Sequence, residues 1–95
     1  MTTGNVGRLE MSVDAVELAK YIIDKCTKDG RPVSNLQLQK ILYFLFQEVY
    51  KEYGLLLFPN KIEMCAFGPM IPDIHRIYGD NGRFAIYKEY EGIKL

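Results

Sequence analysis

Between Ser34 and Gly54 the chain spells out a helix whose start, stop and faces can all be read from residue types. Ser34 and Gln37 stand three apart, the spacing at which a hydroxyl caps the third helical amide while that residue's side chain reaches back to the cap. Val33, just before, is placed to staple onto Leu38, and Gly54 offers a left-handed stop. In between, Leu38, Ile41, Leu42, Leu45, Phe46, Val49, Tyr50 and Tyr53 cover well over half of the circumference, where a surface helix needs an apolar stripe of only about 100°. Such a helix has to be wrapped by other elements, so the expectation is a compact single domain built round it.

The rest of the composition sets what that domain can be. A chain of 95 residues has room for one domain, and at this size roughly 60–65% of the unfolded surface is buried. Twelve basic and twelve acidic side chains leave zero formal charge, which argues against nucleic acid because phosphate affinity comes mainly from Lys and Arg. The apolar run Leu55-Leu56-Leu57-Phe58 is far short of the ~20 residues that span a bilayer. The first ten residues hold one Arg, one Glu and no apolar stretch, unlike a secretory signal, so a cytoplasmic location is expected. Residues 1–11 are polar and aperiodic and read as a flexible N-terminal arm, with the domain over 12–95.

Further elements follow from local signals. A first helix is expected from about residue 12 or 14 to 29, with Asp14 and Glu17 as a box-like start and Gly30 as the stop. Its core stripe is Val16, Ala19, Ile22, Ile23 and Cys26, and its water side is Glu17, Lys20, Asp24, Lys25 and Lys28. Residues 61–67 alternate as a strand. The run Gly68-Pro69-Met70-Ile71-Pro72 then forces a rigid extended corner from which a short helix starts at Pro72 and closes at Gly79. Asp80-Asn81-Gly82 signals a turn, and residues 84–90 alternate, with Phe84 and Ile86 opposite Ala85 and Tyr87, as a second strand or a further helix. The fold class expected is mainly α with a small β-hairpin, an α+β domain.

Candidate chemistry is sparse. Cys26 and Cys65 with the lone His75 are too few to hold zinc, and the two thiols read as buried free cysteines. Asp73 beside His75 resembles an oriented general base, but no nucleophile is in reach, and Asp73 suits the first turn of a helix. No catalytic residue, metal or cofactor is assigned, and the protein is not expected to be an enzyme. The polar set Asn35, Gln37, Gln39 and Lys40 at the start of the second helix lacks basic companions, so capping and loop contacts explain it better than DNA reading. Seven tyrosines and five phenylalanines suggest a protein-binding surface over residues 68–90, since tyrosine enriches binding hot spots. The partner-contact candidates are Gly68, Pro69, Met70, Asp73, His75, Arg76, Tyr78, Tyr87 and Tyr90.

Two segments also carry a resemblance. The run Val33-Ser34-Asn35-Leu36-Gln37-Leu38-Gln39-Lys40-Ile41-Leu42-Tyr43-Phe44 resembles the "(V/I)-(S/T)-N-L-K-L-Q-K-L-L-Y-Y" helix of the Panacea domain, the SocA-like or phage-associated GepA-like family. Residues 63–78, Glu-Met-Cys-Ala-Phe-Gly-Pro-Met-Ile-Pro-Asp-Ile-His-Arg-Ile-Tyr, are similar to that family's "E-A-W-x-Y-G-P-V-(V/I)-P-x-(V/I)-Y-x-x-(Y/F)" segment. The resemblance covers about residues 13–82, and the matching motif positions are Asn35, Leu36, Gln39, Lys40, Tyr43, Gly68, Pro69, Pro72 and Tyr78. It implies a cytoplasmic, bacterial or phage-borne antitoxin that neutralises a co-encoded protein toxin by direct contact, with one branch similar to an adaptor for a AAA+ protease. Three departures stand out: Met64-Cys65-Ala66 in place of the aromatic pair, His75 in place of an aromatic, and no match to the family's C-terminal helices, so the domain reads as shortened at that end. A phage-encoded, anti-CRISPR-like inhibitor of a host nuclease or effector is the alternative, with a small hydrolase or DNA-binding regulator behind it.

Overall fold

The computed structural model describes residues 12–95, so the expected arm over 1–11 lies outside the described residues. Helix α1 (Ala15–Lys28) starts at Asp14, whose carboxylate accepts from the Val16 amide. Glu17 does not return to the cap as expected: it pairs with Lys20 at 2.9 Å and accepts the Lys94 amide. Behind the helix, Gly30 sits at φ 75° and the Arg31 amide donates to the Cys26 carbonyl, satisfying a carbonyl the helix leaves open.

Helix α2 (Asn35–Tyr53) carries the full capping box, with the Gln37 amide donating to Ser34 Oγ at 3.1 Å and the Ser34 amide to Gln37 Oε1 at 2.9 Å. Gly54, at φ 69°, ends it. The helix is central as expected: α1, the hairpin and the third helix all pack against it. Leu38 and Leu42 are fully buried, while Phe44, Tyr50 and Tyr53 further along are exposed.

The small sheet is an antiparallel hairpin, but its second strand is not the expected one. Strand β1 (Glu63–Cys65) turns at Ala66 and Phe67 and pairs with β2 (Gly68–Met70), in the register Glu63 with Met70 and Cys65 with Gly68. Gly68 enters β2 at φ 115°, a conformation that L side chains rarely adopt. Helix α3 (Pro72–Tyr78) follows after Ile71, so the corner forms where the two prolines place it, and a 3-10 turn (Gly79–Asn81) succeeds it.

Residues 84–90 form no strand; the backbone makes one isolated bridge there, Ser34 with Ala85. The alternation fails as well, because Ile86 is buried while Phe84 lies open. The physical reason is a set of acceptors on α1 and, at Val33, in the segment leading into α2. The Ile86 amide donates to the Val33 carbonyl, Lys88 to Thr27 Oγ1, Tyr90 to Asp24 Oδ1 and Lys94 to Glu17 Oε1. The C-terminal segment is thus a strap running antiparallel to α1, and the helix face read as water-facing is where it is tied.

The core joins Ala15, Ala19 and Ile23 of α1, Leu38 and Leu42 of α2, Phe58 of the connecting loop, Ile71, and Ile74 and Tyr78 of α3, with Val33 and Ile86 at its edge. Cys26 packs partly against this core, whereas Cys65 is exposed on the hairpin, contrary to the expectation of two buried thiols.

Candidate partner-binding groove

The corner between α2 and β2 is held by one buried amide. Gln39, 2% exposed, accepts the Ile71 amide at 2.7 Å through Oε1 and donates through Nε2 to Asn35 Oδ1 at 3.4 Å. Ile71 is fully buried, so without Gln39 its amide would be stranded. The motif residues Asn35 and Gln39 therefore fasten the first helical motif to the second, and Lys40 and Tyr43 lie further along the same helix, exposed and half-buried respectively.

Over this fastening lies a groove of about 420 Å³. Leu36, Phe67, Pro69 and Met70 are the large apolar residues of its lining, and Asn35, Gln39, Cys65, His75 and Arg83 the polar ones, with Gly68, Gly79 and Gly82 between them. Phe67 is 79% exposed, on the hairpin turn. Gly79 is present for space: a Cβ there would lie 2.9 to 3.1 Å from three atoms of the His75 ring, although the backbone is ordinary helix at φ −57°. Arg83 and Cys65 were not legible as groove residues in the sequence, since nothing local ties the residue after the Asp80-Asn81-Gly82 turn to the hairpin.

The nine partner-contact candidates separate. Gly68, Pro69, Met70 and His75 meet in the groove. Asp73 and Arg76 pair with each other at 2.8 Å, and Asp73 Oδ2 accepts from Asn60 at 2.7 Å. Asn60 in turn donates to Asp14 and accepts the Ala15 amide, clamping the starts of α1 and α3. The Asn60 amide, then the Arg76 guanidinium, hold the Asp73 carboxyl below its usual pKa of 3.8. With both oxygens so engaged, Asp73 does not orient His75.

Tyr78 is a core residue, 4% exposed, and its hydroxyl meets that of Tyr90 at 2.6 Å. Burial, then this hydrogen bond, raises its pKa. Tyr90 lies under Lys20 and Lys88, whose ammonium groups sit 5.9 and 5.0 Å from its ring centre. Tyr87, 76% exposed, stands alone on the strap. Along the strap, the backbone amides of Tyr90 and Lys94, then Lys28 and Lys20, lower the pKa of Asp24 and Glu17 respectively. Among the described residues no group of three His, Cys, Asp or Glu is placed to hold a metal, and no helix is long and apolar enough to cross a membrane.

Together these features define a small, mainly helical domain whose two sequence motifs meet at an open apolar groove. Within that class the sequence comparison is specific: 71 residues, 75% of the chain, align at 38% identity with Antitoxin SocA of Caulobacter vibrioides (strain NA1000 / CB15N). The chain is thus homologous to a SocA-like antitoxin, as its motifs indicate, and it spans 38% of that relative's length. No family model matches the chain, and no solved structure matches it.

Proposed function

We propose that this domain is the protein-binding part of a non-enzymatic antitoxin, which neutralises a cognate protein toxin in the cytoplasm by direct, stoichiometric contact. The observation that carries the reading is the 38% identity to Antitoxin SocA. The groove supports it, because the Asn35-Leu36 and Gly68-Pro69 motif pairs, far apart in the chain, lie on one open surface. The contact surface is proposed to be that groove with its hairpin rim, and Tyr78, Asp73 and Arg76 are assigned to the framework behind it.

The test is growth rescue. The gene adjacent to this one, expressed alone from an inducible promoter, is expected to arrest growth, and co-expression of this chain is expected to restore it with the two products co-purifying at one to one. A neighbour that is harmless, or whose toxicity is unaffected, overturns the reading. The toxin's level under co-expression separates two modes: a steady level means occlusion, and a fall that depends on a AAA+ protease means delivery.

A further inference from the structure

We infer that the groove receives an extended segment of the partner protein carrying an apolar side chain next to an internal Asp or Glu. The inference rests on the reading above that this domain acts by binding protein. Leu36, Pro69 and Met70 offer the apolar seat, with Phe67 extending it onto the open rim.

The charge at the seat is one-sided. Arg83 lines the groove and makes no ion pair with any described residue, and no carboxylate lines it. Nearby acids are committed or point elsewhere: Glu63 is tied to Lys61 at 2.9 Å, Asp73 to Asn60 and Arg76, and Asp80 does not line the groove. Lys40, one turn after Leu36 on α2, is exposed but is not part of the groove lining. An apolar seat with one unpaired guanidinium in its lining and no carboxylate selects an apolar group beside an anion. Asn35 lines the groove, and its amide nitrogen, which has no protein partner among the described residues, is available to donate to a backbone carbonyl of the segment. An available donor beside the apolar seat suits a peptide, whose backbone carbonyl adjoins its side chain, better than a small acid.

The test is selection from a displayed random-peptide library, each peptide flanked by carrier sequence at both ends, on the purified protein, with backbone NMR shifts to locate binding. Enriched peptides are expected to pair an apolar residue with Asp or Glu and to shift Leu36, Gly68, Met70 and Arg83. Arg83→Glu, an exposed change, is expected to weaken them at least about tenfold, the size of one charge-assisted hydrogen bond, and to recover binding when the peptide acid becomes Lys. No enrichment, enrichment without acids, shifts elsewhere, or binding only of peptides with a free C-terminal carboxylate overturns the inference. Growth rescue separates it from the antitoxin reading. Rescue that survives Arg83→Glu and Leu36→Glu sinks the groove alone, and acidic apolar peptides without wild-type rescue sink the antitoxin alone.

Discussion

The two halves of α2 are built from similar residues and meet opposite fates. In the first half Leu38 and Leu42 are sealed under α1, the hairpin corner and α3, and even the polar Asn35 and Gln39 are buried. In the second half Phe44 is 59% exposed and Tyr50 and Tyr53 are open too; Phe46 reaches inward, meeting Phe58 at 5.0 Å between ring centres. Apolar content made both halves helical and amphipathic, but burial depends on whether another element arrives. The corner after Met70 brings one to the first half and nothing comparable to the second.

The largest effect expected from this contrast is in the core. Leu42→Ala, at a fully buried site, is expected to cost about 2–5 kcal/mol, while Phe44→Ser, two residues on but exposed, should stay within about 0.5 kcal/mol. Urea midpoints measure both, and equal losses would mean that the second half is covered after all. Gln39→Ala comes next. It strands the Ile71 amide and is expected to cost about 1–3 kcal/mol, against no measurable change for the exposed Gln47→Ala.

Ser34→Ala removes the Oγ that caps α2 and is expected to cost about 1 kcal/mol, lowering Tm by roughly 4–8 °C for a domain of this size. At the small end is Gly79→Ala: the backbone accepts it, so Tm should hold, but the new Cβ pushes the His75 ring aside and peptide or toxin binding should fall. A drop in Tm with binding intact would assign Gly79 to stability instead.

Acid should act on α1 and α3 before it acts on the buried half of α2. Asp24, Glu17 and Asp73 all have depressed pKa values, with ordinary values of 3.8, 4.5 and 3.8. A depressed carboxylate contributes stability that is full above its unfolded pKa and is lost as pH falls through the folded one. Amide exchange at Tyr90 and Lys94 is therefore expected to accelerate as pH drops below about 4, after correction for intrinsic rates. Unchanged protection down to global unfolding would mean that the strap does not depend on those carboxylates.

Much of this was legible because it is local. The capping box at Ser34 and Gln37, the stops at Gly30 and Gly54 and the helix start at Pro72 depend on neighbours within a few positions, and each formed as read. Of the contact candidates that the proline run suggests, Gly68, Pro69, Met70 and His75 line one groove. Tyr78 reads in sequence both as a partner contact and as a motif position, and it is buried, because an aromatic on a seven-residue helix looks the same in sequence whether it faces solvent or the core. Asn60, which clamps two helix starts, gave no signal, since its partners Asp14 and Ala15 lie about 45 positions away.

What the residues alone determined, then, is the helices, their ends and the strand-to-helix corner, because those rest on backbone sterics and hydrogen bonds that close within one or two turns. Only the tertiary structure decided that β1 pairs with Gly68–Met70, that residues 84–94 become a strap on α1, and which half of α2 is covered. Glu17 and Asp24 show why: a carboxylate three or four residues from a lysine reads as a solvated ion pair. It becomes an anchor only when a distant backbone amide is carried to within 2.9 Å of it.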